Sequence, residues 1–93
     1  MKIWGLVRTD QRIVRDIVIE LDYKKRDDVQ EWSAVIGDAA RELDLSRPVV
    51  LKKHIKELHS FGRTVFKPSD FMESVDFDKF EIEIFHEKTK DKK

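Results

Sequence analysis

Residues 41–58 read "RELDLSRPVVLKKHIKEL", and the fold turns on whether this stretch is a helix-turn-helix or two helices separated by an extended break. In the first reading Ser46 sits in the turn, and the rows that pack the second helix on the first follow about four, eight and eleven positions later. Those positions hold Val50, His54 and Glu57, two of them polar. Sliding by one residue gives Leu51, Ile55 and Leu58, an apolar row, but the turn is then one residue too long for the motif. In the second reading Pro48 pushes Arg47 toward extended backbone, "PVVL" is a short extended segment, and a helix begins near Lys52. The second reading requires no misplaced polar residue, and it predicts a helix over 52–60 with Lys52, Lys53 and Lys56 on its exposed side.

Upstream, Asp27 and Gln30 have the spacing of a capping box, and Val29, Trp32, Ile36, Ala39, Ala40 and Leu43 recur at three and four. This predicts a long amphipathic helix over 28–43. Gly37 inside it costs ~1 kcal/mol against Ala and marks either a close approach or a neutral surface position. Further upstream, "KIWGLV" and "RIVRDIVIELDY" flank the polar "RTDQR", which predicts a hairpin over 2–23. Period-2 alternation puts Ile13, Ile17, Ile19 and Leu21 on its packed face. Downstream, "RTVF" reads as a strand, and Pro68-Ser69-Asp70 opens a short helical turn with Ser69 as its expected N-cap. "KFEIEIFH" alternates Phe80, Ile82 and Ile84 against Glu81 and Glu83, the clearest strand pattern in the chain. The expected fold is α+β: a mostly antiparallel sheet, from the N-terminal hairpin and the C-terminal strands, covered on one face by the long helix and short helical turns. Residues 1–86 are expected to form one globular domain and 87–93, "EKTKDKK", a disordered polar tail.

The 93 residues are 40% apolar and 41% charged, with 19 basic and 19 acidic side chains and no net charge. No cysteine is present, which excludes disulfides and thiolate metal sites and favours a cytoplasmic home. The start "MKIWGLVRTD" has too few apolar residues for a signal peptide, and no run approaches the ~18 of a membrane span, so a soluble, unprocessed chain is expected. The two signs of charge are segregated. Residues 46–67 carry Arg47, Lys52, Lys53, Lys56, Arg63 and Lys67 against Glu57, a net +5. Residues 68–86 carry Asp70, Glu73, Asp76, Asp78, Glu81 and Glu83 against Lys79, a net -5. These stretches are suited to attract each other, within one chain or between two copies.

The succession "KIWGLV", "DIVIELD", "RELDLSRPVVL", "KHIKELHSFGRTVF" and "DFMESVDFDKFEIEI" resembles a family of short uncharacterised proteins of Gram-positive anaerobic bacteria, over nearly the whole chain. The resemblance implies an intact stand-alone domain and brings no activity, cofactor, partner or site with it. That family typically shows an aromatic in the "RPVVL" segment; this chain has Val50, a departure that bears on packing alone.

No catalytic, cofactor-binding or metal-binding residues are expected. His54 and His59 are five apart, ~140° around a helix, and with His86 they suit surface or half-buried roles better than metal ligation. Nucleophile elbows and glycine-rich phosphate loops are missing from a sequence whose glycines are Gly5, Gly37 and Gly62. Asp76 and Asp78 lack a glycine-bearing loop, and Glu81 and Glu83 alternate as solvent-facing strand residues do. Of the aromatics, Trp32, Phe61, Phe66, Phe71, Phe77 and Phe80 are expected in the core, whereas Trp4 and Phe85 fall opposite the apolar faces of their strands. The expected function is a non-enzymatic protein-interaction module, a homodimer with a further protein partner and no membrane partner, using Trp4, Phe85, Lys52, Lys53, Lys56 and Arg63. In that dimer "KFEIEIFH" is an edge strand whose glutamates meet the basic stretch of the second subunit. The alternative is a helix-turn-helix-like DNA-binding regulator using residues 39–58, which requires several lysines free to meet phosphates.

Overall fold

The computed structural model describes residues 1–22 and 29–85. Strands β1 (Lys2–Thr9) and β2 (Arg12–Glu20) form the expected hairpin. Its two-residue turn, Asp10 and Gln11, has positive φ at both positions, 52° and 68°, as a type I′ turn requires. Two helices follow, α1 (Trp32–Glu42) and α2 (Lys52–Phe61), and then β3 (Arg63–Phe66) and β4 (Lys79–Phe85). The sheet order is β2-β1-β4-β3, with every neighbouring pair antiparallel. β4 therefore lies inside the sheet, between β1 and β3, and is not the edge strand that its pattern suggested; β2 and β3 are the edges.

Alternation along these strands sends Ile3 and Val7, Phe66, and Phe80, Ile82 and Ile84 to one face, where they pack with Trp32, Val35, Ile36, Ala39, Ala40 and Leu43 of the α1 region and with Leu58 of α2. Phe66 stacks on Phe80, and Phe71 meets Phe77 edge-on, so the aromatics close the core under β3 and β4. Four strands with two helices on one face match the expected α+β class.

Three local features depart from the pattern. The β1–β2 register shifts after Val7: Val7 pairs with Arg15, and Arg8 pairs with Ile13. Val14 is thus an extra residue, a β-bulge, and one inserted residue flips everything before it to the other face. Ile13 consequently stands on the outer face, 44% exposed, while Ile17, Ile19 and Leu21 pack inward as expected. The first helix is also shorter than the expected 28–43. Glu31 at its N-cap position is non-helical and makes no side-chain cap hydrogen bond, so nothing holds an earlier turn, although Val29 is buried. The Asp27 capping box and the 87–93 tail lie outside the described residues. At the other end Asp44 adopts φ 63°, and the amides of Asp44 and Leu45 donate to the carbonyls of Arg41 and Ala40, a Schellman closure without glycine. Arg15, on the inner face with Ile17 and Ile19, donates to the Leu43 carbonyl at 2.8 Å.

The stretch around Pro48 resolves as the extended reading. Pro48 forms an isolated antiparallel bridge with Phe71, and the Val49 amide donates to the Asp70 carbonyl at 2.7 Å. Residues 43–51 thus separate the helices with an extended segment, whereas a helix-turn-helix joins them through about three or four residues. The Asp70 carboxylate accepts the Lys67 amide at 2.9 Å and closes the 3-10 turn Pro68–Asp70, so Lys67 and not Ser69 is the cap residue. α2 ends at Gly62, whose φ of 75° is the left-handed conformation that glycine adopts without strain. Phe61, the last helical residue, falls at this turn and is 75% exposed, outside the core where its pattern placed it. Among the described residues no helix is long and apolar enough to cross a membrane.

Two substitutions test these backbone assignments. Gln11→Gly relieves a left-handed residue that carries a side chain, and urea unfolding should show a gain of about 0.5–1 kcal/mol. At Gly37 the three atoms nearest an added Cβ all belong to the flexible side chain of Arg47, whose Nε stands 2.9 Å away and which has to shift from its exposed hydrogen bond to the Ser33 carbonyl. Gly37→Ala should then gain up to ~1 kcal/mol of helix propensity, with an unchanged dependence on denaturant.

Candidate functional site

Among the described residues no helix lies over the outer face of the sheet. Its residues, set by the register, are Lys2, Trp4, Leu6 and Arg8 of β1, Ile13, Asp16, Val18 and Glu20 of β2, Arg63 and Val65 of β3, and Lys79, Glu81, Glu83 and Phe85 of β4. Leu6 is fully buried there, between Asp16 and Glu81 in register. Glu81, expected to face solvent, is only 3% exposed. The reason is its pairing: Arg8 Nε donates to Oε2 at 2.9 Å, and Arg63 brings a guanidinium nitrogen within 3.4 Å of Oε1 without hydrogen-bond alignment. A carboxylate is thus held down on a sheet surface by cations from the strands on both sides of it.

Next to this pair, Trp4 and Phe85 stack with ring centroids 5.8 Å apart and planes 10° apart. The indole Nε1 donates to Asp16 Oδ2 at 2.8 Å, which fixes the ring across the hairpin. Val18, cross-strand from Trp4, is 49% exposed and extends the apolar strip toward the β2 edge. The surrounding charges balance: Lys2, Arg8, Arg63 and Lys79 against Asp16, Glu20, Glu81 and Glu83. A mixed-sign face of no net charge presents little repulsion to a second copy of itself.

The six residues singled out from the sequence do not form one surface. Trp4 and Phe85 meet on the outer face, with Arg63 on the same face of β3. Lys52, Lys53 and Lys56 are exposed on α2, which packs through Leu58 and His54 against the opposite, inner side. Lys53 and Arg63 share a shallow groove beside β3 with Phe61 and Val65; Lys52 and Lys56 line a second groove with Val50, Leu51, Ile55 and His59.

The sequence reading missed the environment of His54, which is fully buried and tilted against Phe66 with ring centroids 4.2 Å apart. Its Nδ1 accepts the Leu51 amide at 2.9 Å and so satisfies an otherwise orphaned donor at the start of α2. That hydrogen bond assigns the remaining ring proton to Nε2, which points no closer than 3.7 Å to Asp70 and makes no hydrogen bond. The signal lay in the spacing: a histidine three residues into a helix that lacks Ser, Thr, Asp or Asn at its cap. His59 meets the buried Trp32 edge-on and belongs to the groove. Among the described residues no group of three or more His, Asp or Glu is placed to hold a metal ion.

Comparison of the chain with protein-family models, with curated proteins and with solved structures finds no match.

Burial pushes the His54 pKa below its ordinary 6.5; the Asp70 carboxylate opposes this, Lys53 reinforces it, Glu57 opposes it, and the net direction is down. Since the folded pKa lies below the unfolded one, the unfolded chain binds the proton more readily. Stability is then independent of this group above about pH 7 and falls as pH drops below 6.5, until the folded pKa is passed. Urea midpoints between neutral pH and pH ~5 should decline more steeply for the native sequence than for His54→Gln; parallel declines would refute the assignment.

Proposed function

We propose that this protein is a non-enzymatic protein-interaction module of the cytoplasm that self-associates as a symmetric dimer through the outer face of its sheet. The observation that carries this reading is the Trp4–Phe85 stack, continued by Val18, on a sheet face that no helix among the described residues covers. Paired aromatics at the centre of a patch, with charges around them, are the composition of interface cores. The balanced charges support a second copy as the occupant, because two such faces meet without a net field to overcome and a two-fold axis uses each contact twice. Arg8 and Arg63 already neutralise Glu81 within one chain. The dimer therefore needs no basic stretch from a second subunit, and its rim ion pairs are worth only ~0 to 1 kcal/mol each. The absence of cysteine fits a reducing compartment.

DNA binding keeps the exposed lysines of α2 in its favour, but it lacks the short turn that sets a recognition helix into the major groove.

Sedimentation tests the proposal. At low micromolar concentration and above, the mass should rise from 11.1 kDa toward twice that value. Val18→Lys combined with Phe85→Lys, both exposed positions, should return it to monomer with unchanged circular dichroism. A mass that never rises overturns self-association, and a dimer indifferent to both substitutions overturns this choice of surface.

A further inference from the structure

We infer that the groove along the outer side of α2 docks an amphipathic helix of another protein, one whose apolar ridge is flanked by carboxylates. Leu51, Ile55 and His59 stand four apart and make one ridge, and Lys52 and Lys56 make the next, with Val50 closing the groove at its start. Ridges four residues apart are what a second helix interdigitates with, so the spacing selects a helical occupant over an extended one. The floor is apolar and open: Leu51 is 46% exposed, while Val50 and Ile55 are half-buried against the core cluster.

Charge selects the occupant's flanks. Lys52, Lys53 and Lys56 form no ion pair among the described residues. The only carboxylate on α2, Glu57, is turned away toward β3, where it accepts the Thr64 hydroxyl at 2.6 Å. The groove side of the helix is thus purely basic in a chain whose net charge is zero. An occupant with glutamates or aspartates on either side of its apolar ridge meets that field; a lysine-flanked one is repelled. Among the described residues the chain offers no such helix of its own, since the apolar side of α1 is buried in the core and Asp38 on its exposed side pairs with Arg41. The exposed acidic residues Glu73, Asp76 and Asp78 lie outside any helix. The partner is accordingly a different protein.

The groove is built before anything arrives. His54 holds the Leu51 amide, and Trp32 holds His59 edge-on from the core, so two of the ridge residues are fixed from beneath. It also lies on the helical layer, away from the outer sheet face, so occupancy there is independent of dimer formation.

The probe is a synthetic amphipathic peptide of about four turns, with leucines at i, i+4 and i+8 flanked by glutamates, compared with a lysine-flanked twin and a scrambled acidic control. Fluorescence anisotropy should show saturable micromolar binding of the acidic peptide alone, with amide shifts confined to residues 50–59. Lys52→Glu with Lys56→Glu changes two exposed side chains, leaves the fold in place, and should weaken the acidic peptide about tenfold or more while creating affinity for the lysine-flanked twin. Equal binding of the scrambled control, shifts centred on the outer sheet face, or affinity unchanged by the double substitution each overturn the proposal. So does binding to anionic vesicles or duplex DNA with none to the acidic peptide.

Discussion

The contact between Arg8 and Glu81 joins residues 73 apart in sequence across the pairing of β1 with β4, the central pairing on which the sheet is built. Pairing β1 with β4 places the two ends of the described chain side by side at its centre, a non-local closure that must offset the entropy of the whole intervening loop. On the inner face the core offsets it. On the outer face the described residues form no second layer, and a carboxylate in the middle strand would ordinarily remain wet. Arg8 from one neighbour and Arg63 from the other cover it, and the fully buried Leu6 stands opposite it in register. The surface of a sheet with one covered face thereby acquires some of the order of an interior, at the desolvation cost that any buried charge carries.

A second junction governs the helices. Asp70 closes its own 3-10 turn through Lys67, its carbonyl accepts Val49, and the extended segment so held delivers Leu51 to the start of α2, where His54 receives its amide. Each link satisfies a backbone donor that the preceding proline or helix start would leave open. The position of α2, and so of its lysines, follows from these local hydrogen bonds more than from propensity, because no capping Ser, Thr, Asp or Asn stands before Lys52.

Much of this was legible from the residues. The alternation of Phe80, Ile82 and Ile84 placed these three residues correctly on the inner face, and the row Val29, Trp32, Ile36, Ala39, Ala40 and Leu43 is buried throughout, although it left out the buried Val35. Pro48 announced the extended break. What failed did so for reasons a linear pattern does not carry. Ile13 obeys the period of its neighbours, but the bulge at Val14 lies between them and reverses its face. Glu81 looks solvent-facing because its two cations come from positions 18 residues before it and 73 before it. Strand order fails similarly: alternation says which side faces the core and nothing about which neighbours a strand has, so β4 passed for an edge. The candidate site was half legible. Trp4 and Phe85 were recognisable as misfits on their strands, but only register brings them into one stack and sends the lysines to another layer.

The distribution of charge over these two layers has a further consequence. Segregation along the sequence, basic before acidic, does not survive folding on the outer face, where the acidic β4 lies between Arg63 of β3 on one side and Lys2 and Arg8 of β1 on the other. It does survive on α2, because a helix keeps sequence neighbours on its own surface and Glu57 is drawn off to Thr64. One chain of zero net charge thus presents a neutral apolar face, indifferent to the sign of what approaches, and a basic apolar groove that discriminates by sign. The first suits an identical copy and the second an unlike partner. The difference between them arises from secondary structure alone: cross-strand pairing mixes distant charges, and helical periodicity preserves local ones.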